Sequence, residues 1–394
     1  MKSVAEQIKI IQRGVSEMVS EAELVKKLSK GKPLRVKAGF DPTTADLHLG
    51  HTVLMEKMRQ FQNLGHQVIF LIGDYTAQVG DPSGRDKTRP TLSEKEIKAN
   101  SKTYLDQAFK ILDKKKTEIR RNSEWHGKAK QMELVQLAGE YNVARMLERD
   151  DFKKRFQEGQ QITIREFLYP LLQGYDSVAL KADVELGGQD QKFNLVVVRD
   201  ILRAYKQEPE VILMMPLLVG TDGQKKMSKS YGNTIGVTEA PQEIFGKVLA
   251  LTDEQMWHYY DLLSAISPED LQKRKLGHPK EAKILLAQEI VTRFHGETSA
   301  LAAAQEFDKI FAKKELPTDI EEKVLPKQGG AISLIEVMAQ NGLASSKSDA
   351  RRLIAQNAVS LNDVRVADPE TQLATSQSYL LKVGKRRFLQ IKFR

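Results

Sequence analysis

The sequence predicts an α/β protein whose largest part is a doubly wound parallel sheet. Two short apolar runs typical of buried strands, residues 34–40 and 67–74, are separated by a helical pattern. The turn between the first strand and the helix, residues 41–46, leads directly into the amino end of that helix, as at the opening of a doubly wound sheet. Further apolar stretches at residues 184–187 and 211–215 continue the alternation.

The elements around these strands follow from the same periodicity. Apolar positions from Ile8 to Leu28 predict an amphipathic helix over residues 1–30, which Gly31 and Pro33 end. The helix after the first strand should begin near Leu47 or His48 and end at about Leu64. Residues 93–160 are mostly helical and charged in pattern, and we expect them to flank the sheet and to form an insertion around 121–165 between its two halves.

The composition changes after Val237 and predicts further domains. We assign residues 1–238 to the α/β domain and residues 239–315 to a helical domain. Residues 316–330, with two prolines and a Gly-Gly pair, indicate a linker. Residues 331–394 indicate a small α+β domain with a helix at 346–356 and short strands around 360–361, 379–383 and 388–393.

Composition restricts the class of protein and of partner. Of the 394 residues, 29% are charged and 41% hydrophobic, as in water-soluble globular proteins, and no apolar run approaches the roughly 20 residues of a membrane span. The first residues lack an apolar export segment, and the absence of cysteine excludes disulfides and thiolate metal sites, so we expect a cytoplasmic protein. The net charge of +9 favours a polyanionic partner, and residues 331–394 carry ten Lys/Arg against five Asp/Glu.

Two histidines near the start of the second predicted helix form the first candidate site. His48 and His51 are three residues apart, so they share one helical face. Free backbone N–H groups and the positive end of the helix dipole favour phosphate there, and Gly50 leaves room for a flat base or a ribose. A metal site is the alternative for two close histidines, but no third ligand lies nearby in the sequence.

A lysine-containing loop forms the second candidate site. Residues 220–233 contain Lys226, Lys229 and three glycines, which indicates a mobile cationic loop that can close over a polyphosphate. Taken alone, two lysines more often belong to a solvated surface loop. The order and the spacing of the histidine and lysine pairs, about 175 residues apart, favour a nucleotide held across the sheet by both halves.

These two stretches carry a family resemblance. His48-Leu49-Gly50-His51 resembles the HIGH signature of class I aminoacyl-tRNA synthetases, and residues 226–230 match their KMSKS signature letter for letter. This family has a Rossmann-like catalytic domain. Within it, the chain resembles the bacterial tyrosyl-specific branch from end to end, through motifs at residues 39–43, 80–85, 169–176 and 187–194.

The resemblance implies a role for each matching residue. The catalytic and phosphate-stabilising residues are then Thr43, His48, His51, Lys226 and Lys229. The ATP-binding set adds Asp41, Gly50, Gly188, Asp190 on the ribose hydroxyls, and Met227. The tyrosine-binding set comprises Asp81, Tyr169 and Gln173 around the ammonium, Asp176 on the phenol, and Gln191 on the carboxylate or α-phosphate side, and it also includes Gly39 and Lys37. Without the motif, Tyr169 would be an ordinary core residue. A surface helix acid is the alternative for Asp176, but the apolar Leu171 and Leu172 beside it and two tyrosines indicate a partly buried face instead.

The chain departs from the family at one position. Many members have a tyrosine as a second phenol contact where this chain has Lys37. The hydroxyl pocket then rests on Asp176 alone, with Lys37 either paired to a carboxylate or turned away.

The carboxyl-terminal domain resembles the S4 RNA-binding module over residues 333–368. It offers a basic helix face and a basic turn that could follow a phosphate backbone: Lys347, Arg351, Arg352, Lys385, Arg386 and Arg387. A solvated basic surface is the alternative. The resemblance also implies ATP, L-tyrosine and tRNA(Tyr) as substrates, Mg²⁺ on the ATP phosphates without a protein-bound metal, an anticodon contact by the helical domain, and a homodimer formed through the insertion.

Three other functions compete with this one. A tryptophan-specific synthetase is disfavoured by Tyr169, Gln173 and Asp176 together with the S4-like tail. A synthetase-derived RNA-binding protein without catalysis would be expected to lack signature residues that are complete here. A general nucleotidyltransferase does not explain the basic carboxyl-terminal domain.

Overall fold

The structure, a computed structural model, describes residues 2–83, 92–311, 320–327, 330–384 and 387–394. The chain forms two compact units, Met1–Leu301 and Ala302–Arg394. The predicted helical segment therefore packs within the same unit as the sheet up to residue 301. For example, Arg293 on that segment forms an ion pair of 2.7 Å with Glu56 on the helix that follows the first parallel strand.

The first unit contains one six-stranded sheet surrounded by helices. Its strands are β1 Glu17–Val19, β2 Arg35–Phe40, β3 Gln67–Ile72, β4 Thr117–Arg121, β5 Val184–Gly188 and β6 Val211–Met215. The helices up to β4 are α1 Val4–Gln12, α2 Glu21–Ser29, α3 Leu49–Leu64, α4 Thr76–Val79 and α5 Glu94–Ala108. Those between β4 and β6 are α6 Ser123–His126, α7 Gln131–Gly139, α8 Val143–Met146, α9 Asp150–Gln157, α10 Ile164–Leu180 and α11 Lys192–Ala204.

The strand order β1-β6-β5-β2-β3-β4 makes the sheet doubly wound. The five strands from β2 to β6 are parallel, and only β1 runs antiparallel at one edge. The order reverses between β2 and β5, which lie side by side in the centre. In open α/β sheets, ligands bind at the carboxyl ends of the strands at such a point. The predicted fold class is confirmed, and it indicates where the site lies.

The amino-terminal prediction was wrong in one respect. Residues 1–30 form two helices rather than one, because the chain turns at Gly14, whose φ of +71° favours glycine, and then forms β1. Ser3 and Ser20 cap the two helices. Met18 and Val19, which fit the helical pattern, instead pair with β6 and cover its free edge.

Strand β4 was also missed by the sequence analysis. Its residues, Thr-Glu-Ile-Arg-Arg, lack the apolar pattern of the central strands because β4 lies at the sheet edge and its side chains are half-buried or exposed. The four helices α6 to α9 then follow, in the region of the predicted insertion.

Four more helices follow β6, and a fifth spans the division between the two units. They are α12 Pro241–Leu249, α13 Asp253–Leu263, α14 Pro268–Lys275, α15 Pro279–His295 and α16 Glu297–Phe311. Phe245, Tyr259 and Ile290 are buried side chains of α12, α13 and α15 respectively. Arg13 donates to the Tyr260 carbonyl at 3.1 Å, which fastens α13 to the amino-terminal turn.

The second unit is a small α+β domain. It contains α17 Leu334–Gln340 and α18 Lys347–Ala355, with strands β7 Glu322–Leu325, β8 Ala331–Ser333, β9 Val359–Leu361, β10 Val364–Arg365, β11 Gln372–Ala374, β12 Tyr379–Val383 and β13 Arg387–Phe393. Residues 322–325 lie in the predicted linker, but they form β7, because they pair in parallel with β13 and Leu325 packs on the domain core. That part of the linker prediction was wrong, whereas the other domain boundaries stay predictions.

Within the part of the chain that the structure describes, no helix combines the length and the apolar character that a membrane crossing requires.

Helices α10 and α11 approach each other closely at Gly174. A Cβ atom at this position would lie 2.8 Å from Cγ1 of Ile201 on α11, closer than packed carbon atoms can come. We therefore expect Gly174→Ala to lower the free energy of unfolding by about 1–3 kcal/mol, although alanine is normally the better helix former. The measurement is urea unfolding followed by circular dichroism.

Gly139→Ala is the matched control. Gly139 is also helical, and a Cβ there would meet no atom within 4 Å, so the variant should be neutral or slightly more stable. If both substitutions changed the free energy of unfolding equally, the close contact between α10 and α11 would not be the cause of the destabilisation.

Candidate active site

The predicted site residues of the first unit gather at the carboxyl ends of β2 and β5. Asp41 and Thr43 follow β2 directly, whereas Gly188 is the last residue of β5 and Asp190 follows it. Helix α3 begins just beyond the β2 end, and α10 supplies Tyr169, Gln173 and Asp176. The site thus lies at the point where the strand order reverses.

The two histidines form the amino end of α3. His48 is the N-cap residue, and its Nδ1 accepts from the Gly50 backbone N–H at 3.2 Å. The Nδ1 of His51 accepts from the His48 backbone N–H at 3.2 Å, and the ring centres lie 3.9 Å apart. The pair is therefore a reciprocal capping box made of imidazoles, an arrangement normally made by serine or threonine with glutamate.

Both histidines are neutral at physiological pH. Burial, assisted by the neighbouring His51 and Lys229, lowers the pKa of His48 to about 2. Burial and Lys229 also lower the pKa of His51 to about 4. Because each Nδ1 accepts a backbone hydrogen bond, the single proton of each ring is on Nε2. Each imidazole thus offers one N–H donor without carrying a charge.

Backbone pairing joins the histidine motif to the chain that follows the lysine loop. The Leu49 N–H donates to the Ile235 carbonyl at 2.9 Å, and the Val237 N–H donates to the Leu47 carbonyl at 3.1 Å. His48 and Gly236 thereby form an isolated antiparallel bridge. This pairing brings the two signature motifs together although they are far apart in sequence.

The space left by the missing side chain of Gly50 is used by the protein itself, whereas the approach of a base or ribose stays a prediction. A Cβ at this position would lie 2.9 Å from Cε1 of His48 and 3.6 Å from Cβ of Met227. The missing side chain thus leaves space for the protein's own His48 ring, and Met227 lies beside it as the one buried residue of the KMSKS stretch.

The lysine loop has a fixed base. The Met227 N–H donates to the Leu218 carbonyl at 2.7 Å, and Asn233, 2% exposed, accepts from the Ser228 N–H at 2.8 Å. The Asn233 amide donates to Asp222 at 2.9 Å and to the Lys226 carbonyl at 3.1 Å. Asn233 thus holds both sides of the loop together, a role that its place in the sequence did not reveal.

Helix α13 supports the same loop from below. Gln255 donates to the Gly220 carbonyl at 2.8 Å, and the Tyr259 hydroxyl donates to the Val219 carbonyl at 2.7 Å. The base of the loop is thereby fixed, while Lys226 and Lys229 remain partly exposed above it.

The two lysines contact acidic residues on the opposite side of the site. Lys226 Nζ lies 3.0 Å from Oδ2 of Asp190, and Lys229 Nζ lies 3.8 Å from Oδ2 of Asp46. All four side chains keep substantial solvent exposure, so these pairs add little stability and can be exchanged for other anions.

A chain of buried hydrogen bonds connects α10 to the end of β2. The Tyr169 hydroxyl donates to Asp41 at 2.9 Å, and Thr76 Oγ1 donates to the same carboxylate at 2.8 Å. The Asn122 amide donates to Thr76 Oγ1 at 2.9 Å and to Asp176 at 3.3 Å. Gly73 makes room for this cluster, since a Cβ there would lie 2.0 Å from Oδ1 of Asp41.

Asp176 is buried, not a surface acid. Its Oδ1 accepts from Trp125 Nε1 and from His126 Nε2, each at 2.8 Å, and only 3% of the residue is exposed. With the Asn122 bond, three protein donors fix this carboxylate. An ionised carboxyl group has about four acceptor positions, so one position remains.

Asp41 is poised to titrate near neutrality. Burial raises its pKa to about 7, with the hydrogen bonds from Thr76 and Tyr169 opposing the rise and the nearby Asp81 adding to it. Burial and Asp41 raise the pKa of Tyr169 well above its ordinary value, so this phenol remains a donor.

Asp81 and Gln191 form a second polar wall. Gln191 Nε2 donates to Asp81 at 2.8 Å, and Asp81 also accepts from the Ser83 N–H at 2.8 Å. The buried Asn194 donates to Oε1 of Gln191 at 3.0 Å and so fixes which end of that amide faces Asp81.

Lys37 is paired to a carboxylate, one of the two arrangements left open above. Its Nζ lies 2.9 Å from Oε1 of Glu185, and the two side chains are 0% and 2% exposed. The remaining predicted residues lie as the sequence suggested: Gly39 is within β2, and Thr43 is in the turn after it, with its N–H donating to the Asp41 carbonyl at 2.7 Å.

The predicted RNA-binding cations lie in the second unit. Lys347, Arg351 and Arg352 are exposed side chains on α18, although each forms an ion pair, with Glu336, Glu370 and Asp349 respectively. Arg387 donates to the Leu343 carbonyl at 2.6 Å. Lys385 and Arg386 lie outside the described residues.

Several residues of the site were missed by sequence reasoning: Thr76, Asn122, Trp125, His126, Glu185 and Asn233. Most are ordinary polar residues without a motif of their own. The run Asn122-Ser123-Glu124-Trp125-His126 after an edge strand was the available signal, because tryptophan and histidine are uncommon in charged helical segments.

Comparisons with known proteins give family matches over most of the chain. Residues 29–312 match the family described as tRNA synthetases class I (W and Y), and residues 314–391 match the tyrosine--tRNA ligase SYY-like C-terminal domain. A tyrosine--tRNA ligase of Carboxydothermus hydrogenoformans is 52% identical over 401 residues, covering 98% of each chain. One of Coxiella burnetii is 50% identical over 397 residues, covering 100% of each chain.

Solved structures show the same fold. A tyrosyl-tRNA synthetase of Archaeoglobus fulgidus, complexed with L-tyrosine, superposes with a TM-score of 0.63 at 22% identity, covering 77% of this chain and 100% of that one. A C-terminally truncated mitochondrial tyrosyl-tRNA synthetase of Coccidioides posadasii gives 0.65 at 23% identity, covering 77% and 92%.

Proposed function

The chain belongs to the tyrosine--tRNA ligases, class I aminoacyl-tRNA synthetases, and we propose that its paired histidines and loop lysines stabilise the phosphates of ATP while tyrosine is activated. The substrates are tyrosine, ATP and tRNA. The observation that carries the proposal is the backbone bridge between residues 47–49 and 235–237, because it joins the histidine motif to the segment that follows the partly exposed loop lysines.

The reaction has two steps. The tyrosine carboxylate attacks the α-phosphorus of ATP, the bond to the bridging oxygen breaks, and tyrosyl-adenylate and pyrophosphate form. A hydroxyl of the tRNA 3′ end then attacks the acyl carbon, and AMP leaves. The carboxylate is already ionised at neutral pH, so the first step needs no general base. Catalysis is then positioning and stabilisation of phosphate charge.

The histidines and lysines divide this task. His48 and His51 offer fixed Nε2–H donors at a helix amino end, which already favours anions. Lys226 and Lys229 reach the same region from the loop, and their exposed pairs with Asp190 and Asp46 can be exchanged for phosphate. Donors that strengthen as charge develops on the leaving pyrophosphate lower the barrier.

Mg²⁺ fits this arrangement as a partner of the nucleotide. The side chains predicted to face the phosphates are donors and cations, so the ion's oxygen ligands would come mainly from ATP and water. When bound, Mg²⁺ neutralises charge on the leaving pyrophosphate.

The α10 side of the site supports tyrosine binding. Asp176 has one acceptor position left for the phenol hydrogen. Tyr169 donates to Asp41, so the lone pairs of its hydroxyl face an ammonium group, and Asp81 and Gln173 complete that cage. Gln191, fixed by Asp81 and Asn194, would contact the carboxylate side.

The second unit supports tRNA binding. The exposed cations of α18 form only surface ion pairs, which phosphate groups can replace at small cost. We assign contact with the anticodon arm to the helical segment 239–315 and to this unit.

We also propose a homodimer formed through residues 121–165. Large apolar side chains are exposed at many positions of this segment and its border: Met132, Val135, Val143, Phe156 and Ile164. Such a concentration of exposed apolar groups in a few short helices marks an interaction surface.

The central test of the function is aminoacylation of bulk tRNA with tyrosine, phenylalanine and tryptophan. We expect charging with tyrosine alone. Asp176→Asn should reduce the preference for tyrosine over phenylalanine in ATP–pyrophosphate exchange by about tenfold or more. The oxygen of the new amide cannot accept hydrogen bonds from the phenol and from all three protein donors at once. Asp74→Asn is the control, since Asp74 bonds Ser123 instead. Full discrimination by the Asp176 variant would contradict this role.

Lys229→Ala tests the phosphate site. We expect ATP–pyrophosphate exchange to slow about a hundredfold, as for loss of one preorganised donor, with the Kd for tyrosine nearly unchanged. Lys225→Ala is the matched control: Lys225 lies in the same loop, but its ammonium stacks on Tyr231 at 4.9 Å. Equal losses in exchange and in tyrosine binding would contradict the assignment.

Asp41 gives the binding of tyrosine a pH dependence. Although the sequence resemblance placed Asp41 beside the nucleotide, Asp41 accepts from Tyr169 of the ammonium cage, so its ionised form would also attract the substrate ammonium. This form is lost as pH falls through about 7. The Kd measured by calorimetry should therefore decrease roughly eightfold between pH 6 and pH 7.5 and level off above. Asp41→Asn should remove this dependence, and a flat profile in the unmodified protein would exclude the role.

Two charge substitutions test the dimer. In sedimentation velocity the protein should have twice the mass of one chain, and Val135→Asp with Ile164→Asp should shift it towards one chain mass, because two carboxylates would be buried in the contact. Val364→Asp, at a valine of the second unit that is more exposed than Val135, should have no effect. An unmodified protein with the mass of one chain would contradict the dimer.

A further inference from the structure

A buried ion pair lies directly behind the proposed ammonium cage. Lys37 and Glu185 are register partners on the neighbouring strands β2 and β5, so their side chains lie on the same face of the sheet. Their charged atoms are 2.9 Å apart and are closed off from solvent. Removing two charges from water costs about as much as their attraction returns, so stability alone does not account for the pair.

Glu185 makes a second contact, with a residue of the cage. Its Oε1 accepts from Nε2 of Gln173 on α10 at 3.0 Å. A carboxylate has only acceptors, so the amide of Gln173 must turn its NH₂ group towards Glu185. Its carbonyl oxygen then points the other way. Among the residues that the structure describes, none donates to this oxygen, and the Gln173 side chain is only half-buried.

The surroundings keep Glu185 ionised. Burial opposes its charge, but Lys37 lowers the pKa of Glu185 below its ordinary value. Glu210, the other buried carboxyl group beside it, has its pKa raised well above the ordinary value by burial and by Glu185. Two adjacent buried carboxyls do not both ionise, so Glu210 holds a proton and Glu185 remains an acceptor.

We propose that Glu185 is a positioning residue for substrate selection: it holds Gln173 with the amide carbonyl facing the ammonium group of the amino acid, and Lys37 holds Glu185 in place. This inference rests on the proposed function. It assigns Lys37 to recognition of the amino group, through two other residues, and not to the phenol. A Gln173 amide turned the other way would present its NH₂ group to a cation and repel it.

The test compares two variants that differ only in the acceptor. In Lys37→Met/Glu185→Gln the new amide can still accept from Gln173, whereas in Lys37→Met/Glu185→Leu no acceptor remains. Neither double variant leaves an unpaired buried charge. Two ligands separate the contributions: tyramine has the ammonium without the carboxylate, and 3-(4-hydroxyphenyl)propionate has the carboxylate without the ammonium.

We expect the leucine variant to bind tyramine about tenfold or more weakly, the size of one hydrogen bond to a charged group, and to bind the propionate within twofold of the unmodified protein. The glutamine variant should bind both ligands within threefold. Equal weakening of both ligands in the leucine variant would show a merely structural role and overturn the proposal. Unchanged tyramine binding would also overturn it.

A double-mutant cycle with Gln173→Ala covers the case in which the leucine variant does not fold. The cycle uses a second variant without an acceptor, Lys37→Leu/Glu185→Met, and if Glu185 acts through Gln173, these two substitutions should weaken tyramine binding no further once Gln173 is alanine. Additive losses would overturn the proposal. An unmodified protein that binds neither tyrosine nor tyramine would refute the proposed function itself, and the positioning role with it.

Discussion

The site depends on a short backbone bridge between residues 47–49 and residues 235–237. Two hydrogen bonds, from Leu49 to Ile235 and from Val237 to Leu47, fix the amino end of α3 against the segment that leaves the lysine loop. The bridge also accounts for the closeness of Gly50 and Met227, since a Cβ at position 50 would lie 3.6 Å from Cβ of Met227.

The doubly wound sheet supplies the second constraint. Because the strand order reverses between the central neighbours β2 and β5, the residues that follow these two strands lie at one edge of the sheet. Under the proposed function, the residues after β2 and β5 would contact the nucleotide, whereas α10 and the chain after β3 and β4 would contact the amino acid. Both substrates of the first step would then be held by the same sheet and its flanking helices.

The polar interior next to the site consists of linked networks, not isolated contacts. Tyr169, Asp41, Thr76, Asn122 and Asp176 form one continuous chain of hydrogen bonds. Lys37, Glu185 and Gln173 form another beside it. Such networks fix the direction in which each acceptor points, which a recognition site needs more than additional stability. Burial within this network raises the pKa of Asp41, and a bound ammonium group would lower that pKa again.

The sequence by itself determined the fold class, the central strands and the two signature motifs, because periodicity and motif spacing are local properties of the chain. It determined the candidates Asp176 and Tyr169, but not that Asp176 is buried beneath Trp125, His126 and Asn122. Only the tertiary structure showed that Lys37 is buried and paired to Glu185. A buried lysine needs a carboxylate partner, and this partner lies on another strand that is far away in sequence. The edge strands β1 and β4 were likewise visible only from their pairing with β6 and β3, because strands that are half-exposed need no apolar sequence pattern. What depends on local pattern was thus readable in advance, and what depends on pairing between distant segments was not.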